Sequence, residues 1–194
     1  MMAYALAWLA FGVVHSLSSR EPAKAALRLV TGRAMRLCWN LLALAELAAV
    51  LAVGHASVPA GAFARPGWLV VVQGIALAAG IVVLVMAARC YDMRRFAGLS
   101  QLRRDDVEDD EPFSAAGLLA WVRHPLYLGS ILVLGGLVRD AMSLQTAVFG
   151  TAYFLIGLRF EERALLRRLG APYAKYLIHV PALLPLRGRA WPPG

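Results

Sequence analysis

Two short stretches of this chain combine residue types that are costly at a membrane boundary and useful in chemistry. The first is Arg123-His124-Pro125-Leu126-Tyr127-Leu128-Gly129. Proline has no N–H and disfavours helix in the residue before it, so His124 stands just ahead of a helix predicted to start at Pro125. The free N–H groups of such a first turn carry partial positive charge, suited to a carboxylate or to ribose oxygens. The stretch reads equally as a plain helix cap with Arg123 as an anchor. The second stretch, Arg159-Phe160-Glu161-Glu162, directly follows an apolar run. Adjacent carboxylates at such a depth need neutralising, by a cationic ligand or by an ion pair with Arg159 or Arg163. A third polar intrusion is Glu46, inside another apolar run, where an ionisable group costs about 2.5–3.5 kcal/mol and normally finds a partner. His15, Ser16, Asn40 and Gln73 are the candidates. A hydrogen-bonded clasp between helices and the lining of a substrate cavity both remain open for Glu46.

The elements that position these residues follow from composition. Of 194 residues, 60% are hydrophobic and 16% charged, against roughly 45–50% and 25% in an ordinary soluble domain. The chain is under-charged for water, and the lipid bilayer is its expected solvent. Apolar runs at 2–17, 37–53, 68–88, 126–138 and 142–158 approach the ~20 residues that span a hydrocarbon core. The fourth is short, reaching only about 20 Å as helix, and could instead form a re-entrant hairpin with the fifth. The predicted fold is therefore all-α: a polytopic membrane helix bundle of about five transmembrane helices with a C-terminal amphipathic cytoplasmic segment. In that segment Leu165, Leu166 and Leu169 share an apolar face, Gly170-Ala171-Pro172 breaks the helix, and Tyr173 and Tyr176 follow.

Lys and Arg number five in 18–36, six in 89–123 and seven from 159 onward, leaving only Arg65 and Arg139 elsewhere. By the positive-inside rule the N-terminus is outside and the C-terminus cytoplasmic. With no basic residues ahead of it, the first run is expected to be a retained span and not a cleaved signal. The arginines flank apolar runs and form no solvated patch, which argues against nucleic acid as a partner. Cys38 and Cys90 are too few for a zinc ribbon, and no metal is expected. The six acids of 105–111 read as a solvated loop.

Taken together, the two stretches resemble the signature of integral-membrane methyltransferases of the isoprenylcysteine carboxyl methyltransferase type. Its first half is Arg-His-Pro-x-Tyr-x-Gly, here Arg123 to Gly129. Its second half, after a hydrophobic hairpin, corresponds to Glu161-Glu162, Leu165, Leu169-Gly170, Tyr173, Tyr176, Val180-Pro181 and Pro185. Leu169 stands where the family prefers Phe. His15-Ser16, Arg36 with Trp39-Asn40, and Tyr91-Asp92 with Phe96, Gly98-Leu99 and Gln101 are similar to the methanethiol S-methyltransferase branch and to denitrification-associated membrane proteins. Met93-Arg94-Arg95 and the acidic block depart from that pattern.

The resemblance implies one membrane methyltransferase domain over 1–194, with a three-helix part at 1–110 and a cofactor-binding core at 111–194. It implies S-adenosylmethionine as cofactor, held by Arg123, His124, Pro125, Tyr127, Leu128, Gly129, Glu161, Tyr173 and Tyr176. Arg159 and Glu162 become the catalytic pair, and His15, Asn40, Glu46 and Gln101 line the acceptor. That acceptor would be a small or lipophilic molecule, a thiol like methanethiol or a prenylcysteine-like carboxylate. The location implied is an inner membrane of bacterial or archaeal type. Two other classes compete: a non-catalytic membrane accessory protein of the same fold, and a bis-histidine haem protein using His15, His55, His124 or His179.

Overall fold

The computed structural model describes residues 2–103 and 113–186, so the acidic block falls outside the described residues. These form α1 (Met2–Ser18), α2 (Glu21–Thr31), α3 (Met35–Ser57), α4 (Gly67–Ala88), α5 (Met93–Ala97), α6 (Leu99–Arg103), α7 (Pro125–Gly136), α8 (Ala141–Leu169) and α9 (Ala171–His179). Each apolar run is the body of a helix. The last does not stop at Leu158 but continues unbroken through Glu161 and Glu162 to Leu169. Among the described residues, three helical stretches are long and apolar enough to cross a membrane, Glu21–Ser57, Gly67–Ala88 and Ala141–Leu169, while α1 and α7 are apolar but shorter. The 12 residues of α7 rise about 18 Å against a ~30 Å core. Outward-facing Val71, Ile75, Leu44 and Ile156 are each at least 60% exposed, the surface of helices made for lipid.

The chain divides into two compact units. One holds residues up to Gly61 together with the segment from Asp92; the other holds 62–91 and the C-terminal part. In the first unit, Tyr4, Trp8, Phe11 and His15 recur at intervals of four, three and four residues. This puts them on one face of α1, where each ring contacts the next at 5.4–6.4 Å. His15 also meets Trp39 of α3, and its Nδ1 lies 3.3 Å from Glu46 Oε2. Of the partners considered for Glu46, His15 is the one that binds it.

The α5–α6 corner docks on the start of α3. Asp92 caps α5 by accepting from the Arg94 and Arg95 N–H groups, and Gly98 ends it at φ 87°. A Cβ at Gly98 would come within 2.6 Å of the Leu37 nitrogen, so both the left-handed backbone and the close approach demand glycine.

In the second unit α4 and α7 touch through their backbones. Gly80 lies against the Gly129 carbonyl, and Gly136 against the Leu77 nitrogen and the Gln73 carbonyl. Small residues that allow such contact are the usual means of joining helices in lipid, where no hydrophobic force drives them together. At the C-terminal end of α7, Gln73 Nε2 donates to the Val138 carbonyl at 2.8 Å, and Arg65 Nη1 donates to Gln73 Oε1 at 2.9 Å. Asp140 then starts α8 with a reciprocal capping box to Ser143, satisfying N–H groups that the helix itself leaves open.

Backbone contact between α4 and α7 gives a paired test. A Cβ at Gly136 would sit 2.7 Å from Leu77, whereas one at Gly135 meets nothing within 4 Å. Gly136→Ala is expected to lose about 1–3 kcal/mol through overpacking. Gly135→Ala should be neutral or gain up to about 1 kcal/mol from helix propensity. Thermal melts of both variants in one detergent check the contrast; equal melting temperatures would refute the contact.

Candidate functional site

The two motif stretches meet inside the second unit. α7 begins at Pro125, which is almost wholly buried, and the turn before it presents Arg123 and His124. From the far end of α8, Glu161 and Glu162 reach back to them. Arg123 Nη2 lies 2.6 Å from Glu162 Oε1, and its Nε donates to the same oxygen at 2.8 Å. His124 stands between the two acids, with Nε2 3.1 Å from Glu162 Oε1 and Nδ1 3.8 Å from Glu161 Oε2. One turn into α7, the Tyr127 hydroxyl donates to Glu161 Oε2 at 2.6 Å. The Tyr127 ring stacks on His124 at 5.3 Å and leans on Phe154 of α8 at 5.1 Å.

Neutralisation of the acids therefore differs from the expected pairing. Glu162 pairs with Arg123 and His124, and not with Arg159 or Arg163 beside it on α8. A carboxylate on a helix points its partner choice by face, and the i+1 and i−3 neighbours lose here to a guanidinium presented from another element.

Arg123 also fastens the tail. Its Nη1 donates to the carbonyls of Val180 and, at 3.1 Å, Leu177, which are carbonyls the end of α9 leaves unsatisfied. The Arg123 N–H donates to Pro181 and the His124 N–H to Ala182, at 2.9 and 3.0 Å. Tyr176 donates its hydroxyl to the Leu119 carbonyl at 2.6 Å. Tyr173, Tyr176 and Val180 form a buried cluster against which Phe113, Leu165 and Leu169 pack. Burial raises the Tyr173 and Tyr176 phenols well above the ordinary tyrosine range, so both remain neutral hydroxyls.

The expected cofactor residues thus separate by what their groups already touch. Gly129 and Pro125 are packed, Gly129 against Leu84 and the Gly80 carbonyl; Leu128 is half-buried on α7. Arg123 is fully engaged with Glu162 and the tail, while Glu161 keeps 44% of its side chain exposed. Arg159 is exposed on α8, one turn before Glu162.

Residues read as lining an acceptor lie in the first unit. There Asn40 Nδ2 donates to the Phe96 carbonyl at 2.9 Å, and buried Gln101 donates to the Arg95 carbonyl at 3.3 Å. His15 and Glu46 bind each other. Sequence reasoning missed the Arg65–Gln73–Val138 clasp and the role of Phe113. A lone glutamine in the most apolar helix was the available signal for the first; the second had none.

Among curated proteins the chain is 41% identical over 81 residues to the methanethiol S-methyltransferase of Mycobacterium tuberculosis, covering 41% of this chain and 31% of that protein. It is 45% identical over 65 residues to methanethiol S-methyltransferase 2 of Bradyrhizobium diazoefficiens, 33% of this chain and 25% of the relative. A third, from a Pseudomonas species, is 33% identical over 87 residues, 44% and 34% of the two chains. The chain is similar to methanethiol S-methyltransferases. The matched stretches span between a quarter and about a third of these relatives' lengths. No family model matches the chain, and no solved structure matches it.

Removing the Arg123 fork tests its place in the architecture. Its side chain and that of Glu162 are 11% and 16% exposed, and breaking one partner of such a pair costs about 3–5 kcal/mol. Arg123→Ala should melt correspondingly earlier and expose the segment around Tyr176 to protease. Arg123→Lys should recover only part of the loss, since an ammonium cannot reproduce a planar fork. Wild-type melting and protection in Arg123→Ala would show that the tail is held by other means.

Proposed function

We propose that the whole chain, 1–194, acts as one integral-membrane methyltransferase domain that uses S-adenosylmethionine to methylate a small thiol of the methanethiol class. Its cofactor-binding residues lie in the C-terminal part, 111–194. About five membrane-embedded helices, with the short α7 forming with α8 a hairpin that returns to the side it entered, the N-terminus outside and the C-terminus cytoplasmic, complete the reading, in accord with the distribution of Lys and Arg. The observation that carries it is the meeting of the Arg123–Gly129 and Glu161–Glu162 stretches, 38 residues apart between His124 and Glu162. The relatives' names support the reaction class.

The donor set suits the cofactor. A nucleoside sulfonium brings positive charge, hydroxyls and a flat base. Glu161 offers a half-exposed carboxylate, and the His124–Tyr127 stack offers an aromatic wall beside it. When bound, S-adenosylmethionine supplies an already activated methyl group on sulfur. The protein's part is then alignment and exclusion of water, which are worth effective molarities of ~10⁵–10⁸ M for well-oriented reactants. Tyr127 holds Glu161 in place through a charge-assisted hydrogen bond. Arg123 and Glu162 act as positioning residues, fixing His124 and drawing the tail over the site. Arg159, exposed one turn from Glu162, is the cation placed to favour the thiolate form of the acceptor.

Isothermal titration with S-adenosylmethionine and with its demethylated product, on folded protein in detergent, tests the reading directly. Wild type is expected to bind both. Glu161→Gln should weaken binding about tenfold or more, the worth of a hydrogen bond to a charged group, with an unchanged melting temperature. Absence of binding to well-folded wild type would overturn it. Arg159→Ala should bind the cofactor normally and turn over methanethiol at least about tenfold more slowly. Undiminished turnover would remove Arg159 from the acceptor's side.

A further inference from the structure

The second helix carries an apolar stripe that faces away from the protein. On α2, half-buried Ala23, Lys24, Leu27 and Thr31 form the face turned inward. Pro22, Ala25, Ala26, Leu29 and Val30 are all exposed, and their offsets of three, four, seven and eight residues from Pro22 make one continuous stripe. Leu29 is 90% and Val30 85% exposed, among the most exposed large hydrophobic residues of the chain.

The edges of this stripe are basic. Arg20, Arg28 and Arg33 are exposed, while Lys24, on the inward face, pairs at 3.8 Å with Glu21, the sole acid on the helix. A helix with a narrow apolar face and a cationic border has the composition of one that lies in the plane of a membrane interface.

Its ends are built for that posture. Ser18 and Ser19 return their hydroxyls to the carbonyls of His15 and Ser16, closing α1. Pro22 sits in the first turn of α2, and Gly32, at φ 54°, ends it and accepts the turn toward α3. Trp39 of α3 donates its indole N–H to the Ser18 carbonyl at 3.2 Å, and Lys24 lies over the same ring at 5.6 Å. Trp is the residue that favours headgroup depth, and here it ties α2 to the junction of two apolar helices.

We propose that α2 is an in-plane anchor that docks an anionic lipid leaflet, with Leu29 and Val30 in the acyl boundary and Arg20, Arg28 and Arg33 on lipid phosphates. Charge complementarity selects a leaflet over a second copy of the chain, whose matching face would carry the same three arginines.

The test uses full-length protein in nanodiscs of phosphatidylcholine with phosphatidylglycerol. Single spin labels are placed by Arg28→Cys, Leu29→Cys or Val30→Cys in a Cys38→Ser/Cys90→Ser background. Labels at 29 and 30 should relax with oxygen, which dissolves in lipid, and the label at 28 with a water-soluble nickel chelate. Nickel access at 29 and 30 would overturn the proposal, as would dipolar broadening that places a second copy on this face. Native mass spectrometry supplies the charge arm. Retention of phosphatidylglycerol should fall about fivefold for each cation removed, in the triple Arg20→Gln/Arg28→Gln/Arg33→Gln variant and, should that fail to fold, in Arg20→Gln alone. Unchanged retention would overturn the role of the cations.

Discussion

One planar cation joins three elements. Arg123 leaves the turn before α7, pairs with Glu162 near the end of α8, and donates to the carbonyls of Leu177 and Val180 where α9 ends. A guanidinium can do this because its five N–H groups are fixed in one plane and it stays charged at any relevant pH. The carbonyls it meets are those a helix end cannot satisfy itself. With the fork in place, the backbone of Arg123 and His124 lies along Pro181 and Ala182, and His124 is held between two carboxylates. Tyr127 and Glu161 then fall within hydrogen-bonding distance. The chemistry proposed for this site depends on that chain of placements.

The same constraint explains why α7 is short. A helix of 12 residues cannot reach across a hydrocarbon core, so its carbonyl end needs hydrogen bonds where lipid would provide none. Gln73 supplies one from within α4, and Arg65 orients Gln73. Glycines at 80, 129 and 136 allow α4 and α7 to touch backbone to backbone, so a short helix is held along its length by its neighbour. A short α7 also keeps its N-terminal turn level with the polar end of α8, where the twin acids emerge from the apolar run.

Much of this was legible in residue order, and the limits were physical. Run lengths located the starts of the five apolar helices to within two residues, because bilayer thickness constrains them from outside the chain, but not the end of α8, which runs on past its apolar part to Leu169. Pro125 located the start of α7, because a missing N–H acts locally. Partner choice was another matter. Glu162 lay beside two arginines in sequence, yet the one that binds it is 39 residues away. Gln73 was considered for Glu46 and instead serves a carbonyl at the end of α7. Gly129, part of the motif, packs against α4, a use that only the facing backbone reveals. Asn40 and Gln101 carry polar amides that could have faced a ligand; each bonds a main-chain carbonyl around α5. The spacing of residues along a chain encodes faces and ends, while pairings between faces depend on which elements meet.

The most direct measurement follows a labelled methyl group. Purified wild-type protein in nanodiscs is supplied with trideuteromethyl-labelled S-adenosylmethionine and methanethiol, and the headspace is analysed by gas chromatography with mass detection. The expected result is dimethyl sulfide carrying the intact label, formed in proportion to enzyme and abolished by boiling. Folded protein that binds the cofactor yet yields no labelled sulfide would contradict the account.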